Sequence, residues 1–410
     1  MPELVSFPPR EFSSSTAKTI EHGRRYCDHR GRVDDSENRA TPFKLTDPAD
    51  SNVEHMRRAL RLAKRGWQYV SPNPLVGAVI VRRNRVVGEG YHRRCGGPRA
   101  EVAALRRAGS RARGADLYVS LEPCAHHGKT PPCSDSIVEA GLRRVYYASK
   151  DPNPETRGRG PRLLRRRGIE VHAGLLEADA LDLNAHYFHW RLTKLPWVVL
   201  KWAMTADGKI ASRSGDARWI SGEASRKYAH ALRRRVDAVI VGTGTYRLDD
   251  PHLLPRPERG RFPLRVILDR KGRLPLQQQI FASGEGPRLY VTGKGTSATR
   301  CRKIEHLGIE VLHLPEKSGL LNMRSLLSHL GQRDVSQVLV EGGQALHGSL
   351  IDARLAQEAV VFMAPKILGG ETAPGPVGGR GFGTVRQSWP FRETRVRKLG
   401  DDVVMEGRIQ

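Results

Sequence analysis

The sequence has few cysteines, few aromatic residues and no long apolar run. Its aliphatic stretches are all shorter than the roughly 20 residues that a membrane helix needs, so we predict no membrane partner. The N-terminal residues lack a Lys/Arg cluster followed by an apolar segment, and no secretory signal is predicted. The chain of 410 residues is long enough for two or three domains with sizeable cores.

Acidic residues are also scarce. The chain has 43 Asp and Glu against 69 Lys and Arg, and its formal net charge is +26. Such a charge would suit nucleic acid, but the arginines are spread over both halves in short clusters such as Arg165–Arg167 and Arg233–Arg235. The sequence has no basic stripe with interleaved aromatic residues, which single-strand binders use. We therefore predict no nucleic-acid partner and expect the charge to attract small anionic ligands.

Two cysteines lie in a distinctive segment. Residues 122–133 are Glu-Pro-Cys-Ala-His-His-Gly-Lys-Thr-Pro-Pro-Cys. Nucleobase deaminases bind a catalytic zinc through one His and two Cys, or through three Cys, and a Glu that is not a ligand moves protons. Cys124 and Cys133 fit the two thiolates, although eight residues separate them instead of two, and Glu101 fits the proton carrier. Because thiolates require reducing conditions, we predict a cytoplasmic protein.

The third zinc ligand is missing from this pattern. Arg99 stands two residues before Glu101, where a His would be expected. A guanidinium stays protonated and has no lone pair to offer a metal. The candidate substitute is Cys95, because a thiolate is a good zinc ligand, although it lies a full helical turn before the expected position. The structural alternative is a pair of buried thiols without metal. Other candidate ligands nearby are His92, His126 and His127.

The remaining distinctive segments are spread over both halves of the chain. The N-terminal half contains Ser-Pro-Asn-Pro-Leu-Val-Gly at 71–77 and Gly-Glu-Gly-Tyr-His at 88–92. The C-terminal half contains Lys-Trp-Ala-Met-Thr-Ala-Asp-Gly-Lys-Ile-Ala at 201–211, Trp-Ile-Ser at 219–221, Val-Gly-Thr-Gly-Thr at 241–245, Asp-Asp-Pro-His-Leu at 249–253 and Val-Glu-Gly-Gly at 340–343. In their order and spacing they resemble the bifunctional deaminase/reductase family of riboflavin biosynthesis over roughly residues 51–405.

The resemblance implies two activities. The family's N-terminal domain uses zinc to deaminate 2,5-diamino-6-(5-phosphoribosylamino)pyrimidin-4-one, and its C-terminal domain uses NADPH to reduce the ribosyl to a ribityl side chain. Arg99 departs from the family's His-Ala-Glu, which puts the first step in question and leaves the second untouched. The alternatives are a reductase whose N-terminal domain is a noncatalytic assembly module, and an RNA-base deaminase with an unrelated tail domain. We expect a homo-oligomer.

Alternating strands and helices predict an α/β fold in both halves. We expect a disordered extension at 1–50, a cytidine-deaminase-like three-layer α/β/α domain at 51–195 and a dihydrofolate-reductase-like α/β domain at 196–410. The domain boundary follows a single helix over 176–195, which Pro196 would end. A late strand, 358–363, is expected to be antiparallel. Further helices are predicted at 52–65, 99–108, 134–140, 161–167, 221–234, 297–307 and 323–331, and further strands at 76–81, 85–89, 117–121, 145–149, 197–203, 238–241, 264–268, 288–291, 310–314 and 337–341.

The C-terminal half is expected to bind NADPH and a sugar phosphate. Residues 340–349 form a predicted strand, glycine turn and helix start, and backbone N–H groups in such a turn can hold a phosphate. Ala217 replaces a Ser that family members often have, at a cost of about 0.5–1.5 kcal/mol of binding. Asp207 could serve either the cofactor or a turn. The resemblance implies that NADPH contacts Ala203, Trp219, Thr245, Asp249, Gly343, Gln344, Ala345, Leu346, His347, Gly348 and Ser349, and that the substrate contacts Arg233, Leu253, Arg256 and Glu341.

Overall fold

The computed structural model describes residues 48–125, 132–154, 156–257, 261–282, 284–317 and 319–409. The predicted disordered extension falls outside the described residues except at 48–50, which begin the first helix. The candidate zinc ligands His126 and His127 also lie outside the described residues.

The N-terminal half is built on a five-stranded sheet with the strand order β2-β1-β3-β4-β5. β1 pairs antiparallel with β2 and β3, while β3, β4 and β5 run parallel. Its elements are α1 (Pro48–Ala63), β1 (Gly77–Arg82), β2 (Arg85–Tyr91), α2 (Ala100–Ala108), β3 (Asp116–Leu121), α3 (Cys133–Glu139), β4 (Arg144–Ser149), α4 (Arg159–Arg166), β5 (Glu170–Ala173), α5 (Glu177–Leu183) and α6 (Ala185–Thr193).

Helices cover both faces of this sheet because side chains along a strand alternate between its two faces. In β1, Ala78 and Ile80 pack in the core formed with α2, α3 and α4. Val79 and Val81 point the other way and pack in the core formed with α1 and α5. The result is the expected three-layer α/β/α arrangement, and it holds α2 and the start of α3 on the same side of the sheet.

The single helix predicted over 176–195 is wrong, because the structure has two helices, α5 and α6, that meet at Asn184. Asn184 is fully buried, and its side chain accepts a hydrogen bond from Leu75 N at 2.8 Å and donates one to Leu75 O at 2.9 Å. The backbone of Asn184 departs from helical geometry, with φ −110° and ψ 20°, and this separates the two helices. Strand β5 was not predicted, since it is short and largely accessible to solvent.

The C-terminal half is built on a nine-stranded sheet with the order β10-β9-β8-β7-β13-β6-β14-β16-β15. Helices again pack on both faces: α11 and α12 contribute to one apolar core and α7, α8 and α10 to the other. The elements are β6 (Trp197–Thr205), α7 (Glu223–Arg233), β7 (Ala238–Gly242), α8 (Thr243–Asp249), β8 (Leu264–Leu268), α9 (Gln279–Ala282), β9 (Arg288–Gly293), α10 (Ala298–Glu305), β10 (Glu310–Leu314), β11 (Glu316–Lys317), β12 (Leu320–Leu321), α11 (Met323–Gln332), β13 (Gln337–Val340), α12 (Gln344–Asp352), β14 (Glu358–Ala364), β15 (Arg392–Leu399) and β16 (Asp402–Arg408).

The late strand β14 was predicted to be antiparallel, and this is only half right. It runs parallel to β6 and antiparallel to β16. Strands β15 and β16, which complete the sheet, were not predicted. Seven of the eight residues of β15 are exposed and most are charged, so the alternation that marks a half-buried strand is absent there.

The two halves contact each other through α5, α6 and the segment before β1. Trp190 Nε1 donates a 2.9 Å hydrogen bond to Gly331 O, and the hydroxyl oxygens of Ser71 and Ser336 lie 3.2 Å apart. Asp182 accepts hydrogen bonds from two arginines of the C-terminal sheet. Within the described ranges, no helix has both the length and the apolar character needed to cross a bilayer.

Candidate functional site

The C-terminal half contains a cavity of about 1140 Å³. It opens at the carboxyl ends of the parallel strands β6, β7 and β13, where ligands bind in open α/β sheets. Thirteen of the fifteen residues that the resemblance assigned to NADPH or substrate line this cavity. They are Ala203, Trp219, Arg233, Thr245, Asp249, Leu253, Arg256, Glu341, Gly343, Gln344, Ala345, Leu346 and Ser349.

The other two residues, His347 and Gly348, lie on the far side of α12. His347 is fully buried, with its ring 5.5 Å from that of Trp202 and its Nδ1 3.0 Å from Pro376 O. A Cβ on Gly348 would lie only 2.3 Å from the backbone of Gly378. In the structure these two residues therefore pack α12 against its neighbours and do not line the cavity.

A buried ion pair joins two of the predicted substrate residues. Arg233 donates from Nε to Glu341 Oε1 at 2.6 Å and from Nη2 to Oε2 at 3.0 Å, and their side chains are only 15% and 8% exposed. Arg233 Nη1 also donates to Leu254 O at 3.2 Å. The planar guanidinium of Arg233, which could hold a phosphate, is therefore already bound to Glu341. Arg256, the other arginine predicted to contact the substrate, also lines the cavity.

Lys201 is a cavity residue to which no role was assigned from the sequence. Its Nζ lies 3.6 Å from Glu341 Oε2. Burial would raise the pKa of Glu341, but the charges of Arg233 and Lys201 outweigh it and lower that pKa to about 2. The sequence could have indicated that Lys201 belongs to the site. It lies two residues before the predicted cofactor residue Ala203 on β6, and residues two apart on a strand share a face.

Trp219 forms an exposed wall of the same cavity. Its side chain is 64% exposed, and the guanidinium of Arg226 lies 4.7 Å from its ring centroid. Lys366 Nζ donates a 2.7 Å hydrogen bond to Trp219 O. A large aromatic face held at a cavity mouth, with a cation against it, offers a surface on which a planar ring can stack.

Asp207 serves a turn. Its carboxylate accepts hydrogen bonds from Thr205 Oγ1, from Leu368 N at 3.2 Å and from Gly369 N at 2.7 Å. The hydrogen bond from Thr205, followed by that from Gly369, lowers the pKa of Asp207 to about 2. Asp207 thus ties the end of β6 to the loop after β14, and it is absent from the cavity lining.

The features expected for a bound dinucleotide phosphate are present at α12. Gly343 is the N-cap residue of this helix, and a Cβ built on it would meet no atom within 4 Å. Free backbone N–H groups at a helix N-terminus face an anion favourably. Among the described residues, six Lys and Arg side chains line the cavity: Lys201, Arg218, Arg226, Arg233, Arg256 and Arg270. These residues fit NADPH.

The N-terminal half brings Cys124 and Cys133 together. Their sulfur atoms lie 3.2 Å apart, and each sulfur accepts a hydrogen bond from the backbone N–H of the other residue, at 3.0 and 3.4 Å. Both cysteines are free and buried. Burial raises the pKa of Cys133 well above its ordinary value, whereas the hydrogen bond from Cys133 lowers the pKa of Cys124.

Arg99 belongs to the same group of residues as Cys124 and Cys133, which together with Glu101 are called the N-terminal pocket below. It is the N-cap residue of α2, and Glu101, which is 3% exposed, begins the same helix. Burial lowers the pKa of Arg99, but the nearby charges of Cys124, Cys133, Glu101 and Asp151 raise it overall. The Arg99 side chain is therefore an electrostatic neighbour of Cys124, Cys133 and Glu101, the residues predicted for the zinc site.

These residues do not fit zinc. A catalytic zinc needs three protein ligands, and in the described part of the chain no three His, Cys, Asp or Glu side chains are grouped to hold a metal. The predicted substitute Cys95 lies beside Asn73, whose Nδ2 is 3.8 Å from Cys95 Sγ. His92 is held between Asn73 Nδ2 at 3.1 Å and Pro98 O at 3.1 Å, and burial lowers its pKa.

Comparison with known proteins gives two family matches. The family described as the RibD C-terminal domain matches residues 196–405, and the cytidine and deoxycytidylate deaminase zinc-binding region matches residues 49–149. The chain is 41% identical to the riboflavin biosynthesis protein RibD of Aquifex aeolicus over 352 residues, which cover 86% of this chain and 96% of that protein. It is 36% identical to RibD of Escherichia coli over 365 residues, which cover 86% and 97%.

Two solved structures are similar along most of the chain. Acinetobacter baumannii RibD has a TM-score of 0.80 at 35% identity, covering 88% of this chain and 99% of its own. A diaminohydroxyphosphoribosylaminopyrimidine deaminase/5-amino-6-(5-phosphoribosylamino)uracil reductase from Thermotoga maritima has a TM-score of 0.77 at 35% identity, with the same coverage. The two domain families imply NADPH for the reductase domain and zinc for the deaminase domain. The chain belongs to the RibD family of riboflavin biosynthesis enzymes, which join a zinc-type deaminase domain to a reductase domain.

Proposed function

We propose that the C-terminal cavity catalyses the NADPH-dependent reduction of 5-amino-6-(5-phosphoribosylamino)uracil, converting its ribosyl group into a ribityl chain. The observation that carries this proposal is the convergence of the predicted cofactor and substrate residues on one cavity. A Thermotoga maritima relative at 35% identity is named for this reductase activity.

The cavity residues have separate tasks in this proposal. The N-terminus of α12 and nearby cations would hold the NADPH phosphates, and Trp219, Thr245 and Asp249 would contact the rest of the cofactor. Bound NADPH would supply the hydride. Arg256 and Leu253 would contact the sugar phosphate, and Arg233 would keep Glu341 ionised and oriented toward it.

Deamination is the family's other reaction, and it is the one that this chain is poorly equipped to perform. The sulfurs of Cys124 and Cys133 lie 3.2 Å apart and could supply two zinc ligands, but Arg99 supplies no third. The assembly-module alternative is not favoured, because a pure scaffold has no evident use for Glu101 and the paired thiols.

The test is NADPH oxidation by the purified full chain, supplemented with zinc, in two parallel reactions. One contains the deaminated intermediate, 5-amino-6-(5-phosphoribosylamino)uracil, and the other the aminated precursor. We expect oxidation with the deaminated intermediate and a far slower reaction with the precursor. An enzyme inactive with both compounds, although folded, would refute the proposal. Equal rates with both, accompanied by release of ammonia from the precursor, would show that the N-terminal pocket deaminates despite Arg99.

Two further expectations accompany this function. Free thiols at Cys124 and Cys133 suit a reducing, cytoplasmic setting. A homo-oligomer stays a prediction, which light scattering of the purified chain would test. Only small molecules are proposed as ligands.

A further inference from the structure

The N-terminal pocket has a charge balance that differs from that of a vacant metal site. Arg99 is the N-cap residue of α2, two positions before Glu101, and the sulfurs of Cys124 and Cys133 lie 3.2 Å apart. The pKa of Arg99 is raised by Cys124, Cys133, Glu101 and Asp151, so these four side chains are its electrostatic neighbours. In a zinc deaminase the metal is the local positive charge, and its thiolates and carboxylates are arranged around it. Here the chain itself brings a permanent positive charge to that place.

The thiol pair is also satisfied without a metal. Cys124 and Cys133 are within hydrogen-bonding distance of each other, and each sulfur accepts a backbone N–H. Tetrahedral zinc ligands instead direct their sulfurs at a common ion at about 2.3 Å. A divalent ion bound there would sit against the Arg99 guanidinium, and like charges repel strongly where burial limits solvent screening.

The placement of Arg99 is fixed by secondary structure. It precedes the first turn of α2, and Ala103 N donates a 3.0 Å hydrogen bond to Arg99 O, which anchors its backbone to the helix. The Arg99 Nε is buried and has no hydrogen-bond partner. Arg99 Nε therefore makes no hydrogen bond that would tie the guanidinium to another part of the fold.

We propose that this pocket binds no zinc and that the Arg99 guanidinium takes the place of the metal as its resident cation. The inference goes beyond the proposed reductase activity and does not depend on it. It makes the N-terminal domain a metal-free member of a zinc-binding family. It also assigns the loss of metal to one residue, with the rest of the pocket retained.

The experiment measures zinc per chain by mass spectrometry of the metal after incubation with excess zinc and gel filtration. We expect the wild-type chain to retain less than about 0.1 zinc ion, because two thiolates leave the ligand set incomplete. Arg99→His and Arg99→Cys should each retain about one, since both restore a three-ligand set of the deaminase type. Arg99→Lys is the matched control, and it should stay as empty as the wild type.

A cobalt(II) titration read by thiolate-to-cobalt absorption supplies a second signal that does not depend on enzyme activity. The melting temperature identifies any variant that fails to fold. Because Arg99→His and Arg99→Cys are both expected to gain zinc, the test still works if one of the two does not fold. Two outcomes would overturn the proposal. One is a wild-type chain that holds about one zinc ion which Cys124→Ser removes. The other is folded Arg99→His and Arg99→Cys proteins that remain empty, since Arg99 would then not be what excludes the metal.

Discussion

At the scale of single residues, the Arg233–Glu341 pair connects stability with activity. Both side chains are buried and joined by two hydrogen bonds at 2.6 and 3.0 Å. Removing the charge of one partner leaves the other buried and uncompensated. We expect Glu341→Gln to lower the free energy of unfolding by about 3 kcal/mol and to reduce the rate of NADPH oxidation. Urea unfolding and a steady-state assay measure the two effects.

The matched control for this prediction is Glu310→Gln. Glu310 also pairs with an arginine, Arg333, at 2.8 Å, but the two side chains are 48% and 38% exposed. An exposed pair contributes less than about 1 kcal/mol, and Glu310 lies outside the cavity lining. Equal losses of stability in the two variants would contradict the importance assigned to burial.

The same pair predicts a dependence of stability on pH. The pKa of Glu341 is lowered from 4.5 to about 2, so the folded state binds its proton more weakly than the unfolded state does. Its stabilising contribution is therefore complete above about pH 5 and is lost as pH falls toward 2. The difference in unfolding free energy between wild type and Glu341→Gln should be constant from pH 7 to 5 and shrink below that range. A difference that grows with acidification would contradict the prediction.

The sequence could predict that Glu341 and Arg233 belong to one site, but it could not predict their pairing. They are 108 positions apart, and only the fold shows that the guanidinium is engaged by the carboxylate. Asp207 was ambiguous for a similar reason, because its partners Leu368 and Gly369 lie on a distant loop. The paired cysteines were easier to find, since Cys124 and Cys133 lie in one short segment whose residue types are distinctive.

At the scale of secondary-structure elements, two glycines of α12 should have separable roles. A Cβ at Gly348 would lie 2.3 Å from Gly378 C and O, whereas one at Gly343 would meet no protein atom within 4 Å. We expect Gly348→Ala to move the helix and to cost about 1–3 kcal/mol of stability. Gly343→Ala should leave the melting temperature unchanged but raise the KM for NADPH about tenfold, because the methyl group would crowd a phosphate at the helix N-terminus.

Gly295→Ala is the control for both substitutions. Gly295 also has open space around its Cβ position but lies outside the cavity lining, so neither the melting temperature nor the KM for NADPH should change. If Gly343→Ala leaves the KM for NADPH unchanged, the cofactor phosphate does not sit at the start of α12.

Elements with a clear periodicity were predictable, and the exceptions have physical causes. Strands β7, β8, β9 and β13 are largely apolar because both faces of the sheet are covered, and such runs are easy to recognise. The break between α5 and α6 occurs at Asn184, whose side chain is bound to Leu75, 109 positions away, and such a long-range contact leaves no mark in the local sequence pattern. The pairing of β14 was missed in part because its antiparallel partner, β16, was itself not recognised.

At the scale of the whole molecule, the charge of +26 should influence how anionic ligands reach the reductase cavity. Cations at that cavity include Arg226, Arg256 and Arg270, and both proposed ligands carry phosphates. We expect kcat/KM for NADPH to fall about three- to tenfold between 50 and 300 mM sodium chloride, because salt screens such attraction. Sucrose at matched osmolality is the control and should have little effect. A rate constant insensitive to salt would mean that the excess charge serves something other than ligand capture.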